Sequence, residues 1–212
     1  MIIAIDGPSA AGKSTIAKLL AKEFGIDYID TGAMYRAFAL KVLREGVDAE
    51  NEEALAGLLA DTDIDLDGSQ VKLDGEDVSG LIRTEEISMA ASQYSAIPAV
   101  RAKLVSLQRD IGARKSVVMD GRDIGSNVFP NAEYKFFITA SPEVRAERRR
   151  KELIERGENV SFETVLADVK KRDWDDTHRP LNPLVQTDDA IPVVTDDLGI
   201  EEVLKEIINY LQ

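Results

Sequence analysis

Residues 7 to 15 read GPSAAGKST, and within them Gly7, Gly12, Lys13 and Ser14 fit the spacing G-x-x-x-x-G-K-[ST]. A run of small residues closed by a lone lysine is poor material for a core. It is good material for an anion cradle, because glycines let successive backbone N–H groups turn inward and a helix start adds partial positive charge. In that chemistry Lys13 reaches the β and γ phosphates, the Ser14 hydroxyl ligates Mg²⁺, and Pro8, Ser9, Ala10, Ala11 and Thr15 complete the loop. The expected ligand is therefore a nucleoside triphosphate with its magnesium ion. No Asn-Lys pair occurs in the chain, so the usual guanine reader is missing. That leaves ATP, to be hydrolysed or passed on to an acceptor.

Two arginines favour an acceptor. Arg36 closes DTGAMYR, just after a strand pattern at 27, and Arg122 lies in VVMDGRDIG, just past another at 116. In open α/β sheets ligands bind outside the carboxyl ends of the strands, so both are expected to face the phosphate loop's crevice. There the planar guanidinium fork matches the oxygens of a second phosphate. Asp120 follows an apolar run and could hold Mg²⁺ through water, as could Asp123. Spacing does not choose between them.

The elements that must position these groups are legible around them. Ile2 to Asp6 is an almost unbroken apolar run, the pattern of a strand buried on both faces of a parallel sheet. Ile16, Leu19, Leu20 and Phe24 then fall at helical spacing, with Gly25 as the C-cap. Further strands are expected at DYID (27), SVVMD (116), YKFFI (134) and IPVVT (191), with helical patterns between several of them and at the end. The class is α/β, a parallel sheet flanked by helices. Residues 63 to 78 break the alternation with apolar–polar repeats and Gly turns, which predicts a small antiparallel insertion. The stretch from Glu143 to Gly157 reads as a highly charged, solvated helix with mixed-sign pairs. No Pro/Gly/Ser linker divides the 212 residues, so one folding unit is expected.

Composition narrows the partners. A formal net charge of −13 repels nucleic acid polymers and anionic membrane surfaces, while a few converging arginines can still reverse the local sign for a small anion. There is no cysteine for a disulfide or thiolate metal site, and no apolar run approaches a membrane span. The N-terminus lacks a basic region, so it does not look like a secretory signal. The expectation is a cytoplasmic monomer working on small molecules.

The motifs IAIDGPSAAGKST, YIDTGAMYRAFAL, VVMDGRDIGSNVFPNAEYKFFITAS and RDWDDTHRPLNPL, in that order over nearly the whole length, resemble those of the bacterial cytidylate kinases. The resemblance implies the P-loop nucleoside monophosphate kinase fold with a short lid near 143–160, and a monophosphate-binding segment at 31–100 that includes the insertion. It implies transfer of the γ-phosphoryl group of ATP to CMP or dCMP with Mg²⁺; another small-molecule kinase, for UMP or a nucleoside, and an ATP-hydrolysing module are the alternatives. Carried over position by position, Ser92, Arg101 and Asp123 read the cytosine, with Thr31 beside the acceptor. Arg36, Arg122 and Arg179 hold its phosphate, and Arg172 and Asp176 meet the sugar and order the closed site. Arg145 lies on the adenine side and Arg149 reaches the transferring phosphates. Ala10 stands where many members have glycine. His178, the only histidine, reads as an exposed loop residue, and the lone Trp174 falls in the closing region.

Overall fold

The computed structural model describes residues 1–67 and 70–211. In chain order the elements are β1 (Ile2–Asp6), α1 (Lys13–Phe24), β2 (Asp27–Asp30), α2 (Thr31–Glu45), α3 (Glu52–Ala60), β3 (Ile64–Asp67), β4 (Gln70–Leu73), β5 (Glu76–Asp77), α4 (Glu85–Ser95), α5 (Pro98–Arg114), β6 (Val117–Gly121), β7 (Tyr134–Thr139), α6 (Pro142–Glu155), α7 (Phe162–His178), β8 (Ile191–Val194) and α8 (Ile200–Leu211). A π-helical turn, Ile124–Val128, follows β6.

β1 is buried from Ile3 onward and takes the central place its apolar run demands. It pairs in parallel with β6 on one side and β7 on the other, and the sheet order is β2-β6-β1-β7-β8. Ile16, Ala17 and Leu20 of α1 and Val203 and Ile207 of α8 pack with Ile3, Ile5, Val118 and Phe136 in one core. α1 stops where the sequence says it should: Gly25 is left-handed and its N–H donates to the Ala21 carbonyl. The expected parallel sheet with flanking helices is present.

The chain divides into two compact units, residues 1–28 with 116–212, and residues 29–115. The first holds the sheet with α1, α6, α7 and α8. The second holds α2 to α5 and an antiparallel meander in which β4 pairs with both β3 and β5. That is the insertion expected at 63 to 78, of which residues 68–69 lie outside the described residues. Ile64, Leu66, Val71 and Leu73 bury one face of the meander, and Lys41 of α2 ties it down through Asp74 at 2.6 Å.

Two local expectations change. The charged helix α6 does carry mixed-sign pairs, Arg150–Glu147 at 2.8 Å and Arg149–Glu152 at 3.2 Å, yet its Ala146 and Leu153 pack on Val165 and Val169 of α7, and Arg145 is only 3% exposed. A pattern dominated by charge hides a narrow apolar seam of small and branched residues. His178 is not in a loop: it closes α7 and stacks on Trp174 one turn earlier, ring centroids 3.5 Å apart. Among the described residues no helix is long and apolar enough to cross a membrane.

Candidate active site

β1 ends at Asp6 and the chain leaves the sheet through Gly7, whose φ is +147° and whose position admits no side chain, since a Cβ would come within 1.9 Å of the Ile138 carbonyl oxygen. Ala10 (φ 59°) and Gly12 (φ 90°) are also left-handed, which curls the loop into the start of α1. Inside that curl Lys13 is buried and its Nζ donates to the Pro8 carbonyl at 2.6 Å. Burial, reinforced by the nearby Arg122 charge, lowers its pKa to about 7 against the pull of Asp120, Asp176 and Asp6. A polyphosphate in the loop would add to the negative charge of those three carboxylates and favour the ammonium form.

The Ser14 hydroxyl donates to Asp120 Oδ2 at 2.8 Å, and the Tyr28 hydroxyl donates to Asp120 Oδ1 at 2.8 Å. A hydroxyl and a buried carboxylate held side by side are the oxygen donors that Mg²⁺ takes, usually alongside water and substrate phosphates. The donor set fits the ion. It also separates the two carboxylates that spacing could not, because Asp123 faces elsewhere: Arg179 Nη2 donates to its Oδ1 at 3.2 Å and Asn127 Nδ2 to its Oδ2 at 3.0 Å.

Arg122 and Arg179 are both held by carboxylates. Arg122 Nε donates to Asp176 Oδ2 at 2.6 Å, and Arg179 Nε donates to the Asn182 carbonyl at 2.7 Å. Burial works against the Arg122 charge, but Asp176, with Asp120 and Asp6 behind it, offsets burial and raises the pKa. Burial likewise opposes ionisation of Asp176, and Arg122, with Arg179 and Lys13, outweighs it, so the carboxyl is held below its ordinary range. The Asp6 carboxylate accepts from the backbone N–H groups of Ile124 at 2.8 Å and Gly125 at 2.7 Å. Burial nonetheless raises its pKa to about 6, overriding those two bonds.

Arg145 is bonded to the loop between β1 and α1. Its Nε donates to the Ala140 carbonyl at 2.8 Å, its Nη1 to the Ser9 carbonyl at 3.2 Å, and its two Nη atoms to the Asp173 carboxylate at 2.9 and 2.6 Å. Arg149 pairs with Glu152, and Arg172 is half-buried on α7. The sequence reading passed over Asp6, Tyr28 and Asp173. Only Asp6 left a signal, an acid closing an otherwise apolar strand.

The unit 29–115 carries the remaining expected residues. Asp30 caps α2 by accepting from the Ala33 N–H at 2.8 Å and also accepts from Arg36 Nη2 at 3.0 Å, while Thr31 is buried beside it. Arg36 is thus in the second turn of α2. Arg101 of α5 is 2% exposed, lies over the Tyr35 ring at 5.7 Å and donates to the Ser95 carbonyl at 3.4 Å. Ser92 is exposed on α4.

A family model described as cytidylate kinase matches residues 3–212. The chain belongs to the cytidylate kinase family. As a member of that family it is 54% identical over 210 residues to a cytidylate kinase of Caldanaerobacter subterraneus, covering 99% of this chain and 94% of that one. It is 47% identical over 209 residues to a cytidylate kinase of Clostridioides difficile, covering 99% and 97%. Among solved structures, an uncharacterized protein from Eubacterium ventriosum shares the fold with a TM-score of 0.58 at 14% identity, over 100% of this chain and 98% of that one.

Proposed function

We propose that this chain transfers the γ-phosphoryl group of ATP to CMP or dCMP, giving ADP and CDP or dCDP. The observation that carries the reading is full-length membership of the cytidylate kinase family. The acceptor atom is a phosphate oxygen, ionised at neutral pH, so no general base is needed. Catalysis then consists of in-line positioning and stabilisation of charge on the moving group.

Residues 7–15 hold the ATP phosphates and Lys13 meets the β and γ oxygens. Ser14, with Asp120 through water, would hold Mg²⁺, which would supply charge neutralisation for the phosphates. Arg145 braces the loop on the adenine side, and Arg149 leaves Glu152 to reach the moving group. Arg122, Arg179 and Arg36 bind the acceptor phosphate, which takes the place of the carboxylates now on them. Arg172 and Asp176 take the sugar, Ser92, Arg101 and Asp123 take the base, and Thr31 lies beside the acceptor. Asp123 can accept from the exocyclic amino group of cytosine, whereas uracil offers an oxygen there; such a contact is worth about 1–3 kcal/mol of discrimination. We also infer a cytoplasmic monomer with α6 as part of the lid.

The deciding experiment measures ADP formation from ATP with a panel of acceptors: CMP, dCMP, UMP, cytidine and none. CMP and dCMP should drive turnover well above the rest. Equal turnover without an acceptor would make the protein a hydrolase, and a preference for UMP or cytidine would make it a different kinase.

A further inference from the structure

Asp6 is only 6% exposed at the end of the central strand, where an acid has no place unless it is bonded. Its bonds are specific. The carboxylate accepts from two consecutive backbone amides, Ile124 and Gly125, the first two residues of the π-helical turn. Its own backbone is in register with Gly121, the last residue of β6. One residue therefore fixes the chain on both sides of Arg122 and Asp123, through the strand ladder before them and through its side chain after them.

The turn is clamped from the other side as well. A Cβ on Gly125 would stand 3.1 Å from Lys135 Cδ and 3.4 Å from Asp6 Oδ2, so the backbone runs tight between these two side chains. Lys135 cannot easily yield, since its Nζ is bonded at 2.6 Å to the Pro130 carbonyl and at 2.6 Å to Asp189. Ile124, 1% exposed, is sunk into the interior. A π-helical turn is an uncommon backbone form that often marks a functional site, and here non-local bonds hold it in place.

We infer that Asp6 is a positioning residue for acceptor specificity: its bracket around Arg122 and Asp123 sets the reach of the Asp123 carboxylate to the base and so the preference for CMP over UMP. The inference rests on the reading that Asp123 reads the cytosine. A hydrogen bond that discriminates must be held within about 0.5 Å, which a dipeptide anchored on one flank alone would not achieve.

Asp6→Asn tests it, because the amide puts a donor where one carboxylate oxygen now accepts from a backbone N–H. Gly125→Ala presses on the same turn while leaving the carboxyl intact, and decides the matter should Asp6→Asn fail to fold. The readout is the ratio of kcat/KM for CMP to that for UMP, which a general loss of structure would leave unchanged. Both variants should narrow the ratio by roughly tenfold, the scale of one lost base contact. Asp123→Asn is the reference. If it narrows the ratio while Asp6→Asn and Gly125→Ala keep the wild-type value, the inference is overturned and the base reading stands. If all three keep the wild-type ratio, the base is read elsewhere and the inference falls with it.

Discussion

Lys13 and Gly7 show how differently two residues of one motif are constrained. Lys13 is placed for its charge: it is buried, its ammonium donates to the Pro8 carbonyl at 2.6 Å, and Asp120, Asp176 and Asp6 are the negative charges near it. Lys13→Ala should lower kcat by at least about 100-fold, comparable to losing one preorganised donor, while the urea midpoint stays near that of the parent. A near-normal kcat would reject the cradle assignment. Gly7 is needed for its lack of a side chain. Gly7→Ala drives a Cβ onto backbone, 1.9 Å from the Ile138 oxygen, whereas Gly12→Ala meets no atom within 4 Å and suffers left-handed strain alone. Denaturant titration should show a cost of about 1–2 kcal/mol for Gly12→Ala and a clearly larger one for Gly7→Ala. Both glycines were legible as motif positions. What makes Gly7 obligatory was not, because Ile138 lies far along the chain on β7.

At the level of elements, the helix pair α6 and α7 is joined by more than its small apolar seam. Arg145 spans the Ala140 carbonyl, the Ser9 carbonyl and Asp173, so the base of the charged helix, the phosphate loop and α7 share one guanidinium. Asp173→Ala leaves that buried cation without its carboxylate and should destabilise the fold by about 3 kcal/mol in urea unfolding, more than removing the exposed Lys170–Glu143 pair by Lys170→Ala. Trp174, 62% exposed on α7, reports on the same region. Its fluorescence should change when ATP and CMP are added together; an unaltered spectrum with every nucleotide would count against a closing movement in this region.

The strands were readable because each is a short, nearly continuous apolar run, and the C-cap of α1 because Gly25 punctuates it. The π-helical turn was not, since it follows from the Asp6 carboxylate 118 residues away from Ile124. Nor was the α6–α7 seam, because two charged helices give no period strong enough to show which narrow face is covered.

At the scale of the whole molecule, Asp6 gives stability a pH signature. Its folded pKa, raised to about 6, exceeds the ordinary 3.8, so the native state retains a proton that the unfolded chain has released. This contribution is fully present below about pH 4 and is lost as pH rises through about 6. The difference in unfolding free energy between the parent and Asp6→Asn should fall by about 2 kcal/mol from pH 4 to pH 7. A difference that rose instead would mean that the two backbone bonds outweigh burial.

The place of β1 has a consequence for the life of the chain before it is an enzyme. Ile2 is in register with Val117, so the central strand of the sheet is made first and its neighbour more than a hundred residues later. At a ribosomal pace of about 5–20 residues per second, that strand waits on the order of ten seconds as bare apolar backbone. Residues 29–115, whose meander and helices pair among themselves, can settle in the meantime. Among the described strands of this sheet, the one that leads into residues 7–15 is thus the one that waits longest for its first neighbour.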